Sequence, residues 1–273
     1  ALPRKLSTPL AVLRRSFAWL AAAVLLPAAL WATDVWEPTG WANTPEFEQF
    51  ALVERVVAAP DGKLYVSFYN QGIVDAVRSG PQLGQLMRLN ADGSIDESFN
   101  VGPGWTRFWA IAVQADGKVV AGGISSAETS QTGSTIYRVF RFNSDGSLDD
   151  SFNSPVFNDI PRFITLFDDN SMIVVPSGGG AGNGGITTMA YLEADGSMNP
   201  SFTEPNLNGG VIFAPVVSDG SGRLYLAGIF SSVNGTDRPG VARLNNDGSL
   251  DTSFAPAGFT RSNDFQQIRG IAL

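Results

Sequence analysis

The sequence predicts an all-β fold of β-propeller blades: four four-stranded antiparallel repeats plus the first strand of a fifth. Three observations carry this. A twelve-residue motif recurs without a gap as RLNADGSIDESF (Arg88 to Phe99), RFNSDGSLDDSF (Arg141 to Phe152), YLEADGSMNPSF (Tyr191 to Phe202) and RLNNDGSLDTSF (Arg243 to Phe254). Its Asp-Gly-Ser triplets begin at Asp92, Asp145, Asp195 and Asp247, spaced by 53, 50 and 52 residues. Self-similarity at such a period is the mark of a repeat architecture. A second landmark, VVAAPDGKLYVSF around Asp61, returns as IAVQADGKVVAGG around Asp116, ITLFDDNSMIVV around Asp169 and VVSDGSGRLYLAG around Asp219.

The two landmarks divide each repeat into a fixed part and a variable part. From the final Phe of the motif to the next second landmark the distance is 17 residues three times over: Phe99 to Asp116, Phe152 to Asp169 and Phe202 to Asp219. That constancy implies a packed unit. From the second landmark to the following Asp-Gly-Ser the distance varies through 31, 29, 26 and 28 residues, so the loops lie there.

Asp-Gly between apolar runs is a strong hairpin signal, and a type I′ turn, with positive φ at both central residues, is the expectation. Leu64, Val66 and Phe68 alternate with Tyr65 and Ser67, and Leu224 and Leu226 flank Tyr225, the period of half-buried strands. Each repeat then holds four strands: one before the second landmark, one after it, one running into Arg-Leu-Asn, and a short one carrying Leu-Asp-x-Ser-Phe. Four antiparallel strands at this period make a propeller blade. A β-solenoid is the alternative, but its coils are shorter and use fewer hairpins. The blades fall at about 51–100, 101–153, 154–203 and 204–255, with a partial one at 256–273.

The segments IAVQADGKVVAGG and GIFSSVNGTDRPGVARLNNDGSLDTSF resemble the delta-60 repeat, a propeller-type repeat of large secreted and surface proteins of bacteria. The resemblance covers about residues 51–273 and implies fold and export. Repeat three departs from it, with Tyr191, Glu193 and Asn199 where the others carry Arg, Asn and Asp. The family has no settled activity, so no catalytic residue carries over.

Residues 1–32 have the layout of a secretory signal peptide: Arg4, Lys5, Arg14 and Arg15, then an uncharged stretch from Ser16 to Ala32. Cleavage after Ala32 is expected, leaving no membrane span, because the stretch falls short of the ~20 apolar residues a spanning helix needs. An exported protein, extracellular, surface-bound or periplasmic, is the expectation. Residues 33–50, with Trp36 and Trp41, lead into the repeats. At the other end QIRGIAL (Gln267 to Leu273) matches RFWAIAV (Arg107 to Val113) and stops before its turn, so a fragment of a larger propeller is expected.

Composition narrows the chemistry. With 44% hydrophobic and 16% charged residues the chain is globular in character. It has no His and no Cys, which removes imidazole catalysis, thiolates and their metal sites. All 26 Asp and Glu follow residue 32, and a surface that negative disfavours nucleic acid as a partner.

Asn90, Asp92 and Asp96 resemble part of a calcium loop, as do Asn143, Asp145 and Asp149, and Asn245, Asp247 and Asp251. The complete loop also needs an earlier Asp and a bidentate Glu, so a turn whose Asp caps its own backbone is favoured and no cofactor is expected. Arg88, Arg141 and Arg243 recur in step with Asp96, Asp149 and Asp251, and repeat three loses both partners at once, which suggests an ion pair inside each blade. The recurring Phe99, Phe152, Phe202 and Phe254 read as inter-blade core.

Asp168, Asp169, Asp219, Glu54 and Glu128 are the carboxylates available to a glycoside hydrolase or lyase, and no spacing singles out a pair of them. The leading expectation is a non-catalytic secreted or cell-surface scaffold binding protein or polysaccharide through loops at 70–84, 125–134, 178–185 and 231–238. A structural spacer in a long surface protein is the third reading.

Overall fold

The computed structural model describes residues 51–70, 85–125, 135–178, 186–208, 210–256 and 271–272. The expected signal peptide, the segment 33–50, Glu128 and nearly all of the partial fifth repeat lie outside them. Every regular element among the described residues is a strand.

Repeat one is an antiparallel sheet in the order β1 (Ala51–Ala58), β2 (Leu64–Asn70), β3 (Leu86–Leu89). Repeat two repeats it with β4 (Trp105–Val113), β5 (Val119–Ser125) and β6 (Arg138–Phe142), and repeat three with β7 (Pro161–Leu166), β8 (Met172–Pro176) and β9 (Ala190–Leu192). In repeat four the first strand is broken into β11 (Val211–Ile212) and β12 (Val217–Ser218). Both pair with β13 (Leu224–Ile229), whose other edge takes β16 (Val241–Leu244). An added hairpin, β14 (Ser232–Val233) and β15 (Thr236–Asp237), pairs with β10 (Leu207–Asn208) in a separate small sheet.

The expected fourth strand is reduced to a single bridge in each repeat: Leu89 with Ile95, Phe142 with Leu148, Leu192 with Met198, and Leu244 with Leu250. The reason is local. The Asp96 carboxylate accepts from the backbone N and the hydroxyl of Ser98, and Phe99 N donates to the Asp96 carbonyl, so the chain turns where a strand would continue.

The hairpin turns also differ from the expected type I′. Gly93 N donates to the Asn90 carbonyl and Asn90 N to the Ser94 carbonyl, and within the triplet only Gly93 has positive φ, at 84°. This is a type I turn closed by a glycine bulge. Asp92 remains right-handed and accepts from the Ser94 amide and hydroxyl. Asn170, with φ of 65°, fills the glycine position in the repeat-three landmark, a role asparagine tolerates.

Apolar side chains seal successive sheets together. Phe99, Phe108 and Phe142 are fully buried, in a cluster that joins Tyr65 and Leu86 of repeat one to Val119 and Phe140 of repeat two. Trp105 meets Phe140 and Phe142 edge-on at 4.8 and 5.0 Å. Phe202 lies with Ile173, Leu224 and Leu244 between repeats three and four. Each such phenylalanine contributes on the order of 2–3 kcal/mol by leaving water.

Candidate functional site

The sheets have two chemically different ends, and the pairing registers place every landmark at one of them. Ala58 faces Leu64, Val113 faces Val119, Leu166 faces Met172 and Leu89 faces Leu64, so both sets of Asp-Gly turns share the turn end. Ala51 faces Asn70, Trp105 faces Ser125, Pro161 faces Pro176 and Val211 faces Ile229 at the opposite end. There the connections of variable length leave the sheets.

The turn end is built from the recurring arginine. Arg88 Nε donates to Asp96 at 2.7 Å, Arg141 to Asp149 at 2.8 Å and Arg243 to Asp251 at 2.8 Å. Each guanidinium lies over the motif's phenylalanine, 5.0 Å from Phe99, 4.8 Å from Phe152 and 4.9 Å from Phe254. Lys63 and Lys118, from the second landmark, also bind Asp96 and Asp149, at 2.7 and 2.8 Å. Lys63, then the Ser98 hydroxyl, then Arg88 hold the Asp96 carboxyl well below the usual carboxylate range. Burial alone would raise Asp149, but Lys118, Ser151 and Arg141 outweigh it and its carboxyl is lowered too.

Repeat three replaces the whole set with neutral groups. Ser171 stands for the lysine, Tyr191 for the arginine and Asn199 for the aspartate, with the Ser171 and Tyr191 hydroxyls 3.2 Å apart and Tyr191 edge-on to Phe202 at 5.8 Å. The lysine position is the one member of this set that sequence reading missed, although its signal was present in the two Asp-Gly-Lys triplets.

The calcium-loop candidates are therefore engaged within the turns. Asp92, Asp145 and Asp247 each accept from the serine two residues on, by its amide and its hydroxyl. Asn90, Asn143 and Asn245 donate to the serine hydroxyl four residues on. Asp96, Asp149 and Asp251 carry guanidinium partners. Among the described residues no three acidic side chains gather as a metal group would require.

The first strands carry a different constellation, from their middle (Glu54, Arg55, Trp109) toward the loop end (Arg107, Arg162), which sequence reading did not single out. Arg107 (β4) lies over Tyr69 (β2) at 4.4 Å and Trp109 (β4) at 4.9 Å, and pairs with Glu54 (β1). Arg55 (β1) donates through Nε to the Trp109 carbonyl at 3.0 Å and through a terminal nitrogen to the Arg162 carbonyl at 3.5 Å, so it crosses three first strands. Phe163 (β7) lies between Arg55 and Arg162, 5.7 and 5.9 Å from their guanidinium carbons. Burial first, and then the Arg162 charge, lower the Arg55 pKa, with Glu54 opposing.

Among the described residues the hydrolase candidates do not converge. Glu54 is in the middle of β1 in its ion pair, while Asp168, Asp169 and Asp219 belong to second-landmark turns. The Ser171 and Ser221 hydroxyls hold Asp169 and Asp219 below the usual range. Of the expected binding loops, 231–238 is described: it is the β14–β15 hairpin, turning through Asn234 and Gly235 at positive φ. Nearly all of the other three lies outside the described residues.

Residues 59–99, 114–152 and 220–254 match the model of a family described as a domain of unknown function (DUF5122) β-propeller. The repeats are of the β-propeller type. Each matched segment runs from a second landmark to a motif phenylalanine, and the three matched repeats are those that hold the Arg–Asp pair. No curated protein matches the chain. A crystal structure of a protein of unknown function from Bacteroides caccae aligns over 75% of this chain and 81% of that one, at 12% identity and a TM-score of 0.29.

Proposed function

We propose that the protein is an exported, non-catalytic propeller scaffold of the delta-60 kind that binds a protein or polysaccharide through the loop end of its sheets. The observation that carries this reading is the shared direction of the variable connections, since all leave from the end where Ala51, Trp105, Pro161 and Val211 begin their sheets. A rigid set of sheets with length variation confined to one end is the arrangement in which loops take on binding.

Glycan-array and pull-down binding by the mature protein tests the reading. Binding lost on shortening the Ser232–Asp237 hairpin, with the melting curve unchanged, supports it. Hydrolytic turnover abolished by one carboxylate substitution overturns it. N-terminal sequencing of secreted material tests export, with cleavage after Ala32 as the expected result.

A further inference from the structure

The constellation is a row of two guanidinium-and-ring groups, Arg107 over Tyr69 and Trp109, and Arg55 and Arg162 beside Phe163, joined by the Arg55 Nε bond to the Trp109 carbonyl. Rings hold the guanidinium planes in place, and the two backbone carbonyls on Arg55 fix it further. Among the described residues the carboxylate paired with these three cations is Glu54, on the Arg107 guanidinium. Arg107 Nε is buried with no acceptor among the described residues, and the Arg162 side chain is exposed, beside the Phe163 ring. The other titratable groups beside the row are Tyr137, whose ring lies 6.4 Å from Trp109, and Asp159, whose charge raises the Tyr137 pKa after burial does.

Like charges held together without matching carboxylates disfavour the free protein and favour an anion. Guanidinium forks suit planar carboxylate or sulfate oxygens. The row also crosses three successive repeats, which suits a polymer with charges at intervals more than a single small anion. On the scaffold reading above, we propose that this row binds an acidic polysaccharide, with Arg55, Arg107 and Arg162 receiving its carboxylate or sulfate groups. The acidic balance of the rest of the chain confines a polyanion to this patch.

The test is titration calorimetry of the whole chain with polygalacturonate, heparin and neutral amylose, repeated with Arg162→Gln and Arg55→Gln. Binding of polygalacturonate or heparin but not amylose, weakened about tenfold or more by Arg162→Gln with an unchanged melting temperature, is the expected result. Which polymer binds separates carboxylate from sulfate recognition. Three outcomes overturn the proposal: no heat with either acidic polymer, binding indifferent to both substitutions, or polyglutamate displacing the polysaccharide at lower concentration. If neutral glycans or proteins bind while the arginine variants are silent, this proposal falls and the scaffold reading stands. If nothing binds, both fall.

Discussion

Arg88 donates to the Ser144 carbonyl of the next repeat at 2.7 Å while its Nε holds Asp96 of its own repeat at 2.7 Å. Arg141 does the same, reaching the Ala194 carbonyl at 2.5 Å. Beside these bonds Asn100 N donates to the Asp145 carbonyl, Asn153 N to Asp195 and Thr203 N to Asp247. The arginine is thus both the internal brace of a blade and its lock on the following one, and its buried position makes the lock costly to break.

Removing one partner leaves the other charged and buried, since Arg88 and Asp96 are each only 7% exposed. Asp96→Asn, which leaves Arg88 buried without a carboxylate, is expected to lower unfolding free energy by about 3 kcal/mol in urea titrations, and Arg88→Met, which leaves Asp96 its Lys63 partner, by less. The triple substitution Lys63→Ser, Arg88→Tyr, Asp96→Asn copies the neutral set of repeat three and is expected to cost less than either single change. A triple variant less stable than Arg88→Met would show that the sets are not interchangeable.

Stability should fall in acid. The Asp96 and Asp149 carboxyls are lowered in the folded chain, so their contribution is complete above the unfolded value of about 4 and is lost as pH drops below it. A denaturation midpoint that is flat from neutral pH to about pH 5 and declines below about pH 4 is expected, with a shallower decline in the neutral triple variant.

Glycines at the same turn position should differ in importance. Gly62 has φ of 82° and open space around a would-be Cβ, so Gly62→Ala carries only the left-handed backbone strain of about 1–2 kcal/mol. Gly248, at 84°, would place Cβ 2.0 Å from the Thr203 carbonyl oxygen of the preceding repeat. Gly248→Ala should cost about 3 kcal/mol or more, as strain and overpacking act together. Thermal melts of the two variants compare them directly.

Within the twelve-residue motif the apolar positions are unequal. Phe99 is 1% exposed and Leu148 is 43% exposed. Phe99→Ala is expected to cost about 3–5 kcal/mol and Leu148→Ala less than about 1 kcal/mol, read by denaturant titration.

The repeat, its period, the strand alternation, the Arg–Asp pair and the core role of the phenylalanines were legible in the chain, because each is a local pattern copied several times. Covariation of Arg88 with Asp96 could be read because repeat three changes both partners together. Turn type was not legible: Asp-Gly serves both a type I′ turn and a type I turn with a glycine bulge, and the bond that accompanies the second, from the backbone amide two residues on to the Asp carboxylate, forms with serine (Ser94 to Asp92) and lysine (Lys63 to Asp61) alike. The row across the first strands was hidden as well. Arg55, Arg107 and Arg162 stand at non-equivalent places in their strands and recur in no motif, and they meet only because β1, β4 and β7 are brought side by side. What repeats within one sheet is written in the sequence, whereas what forms between sheets depends on how successive sheets approach, and only the tertiary structure decides that.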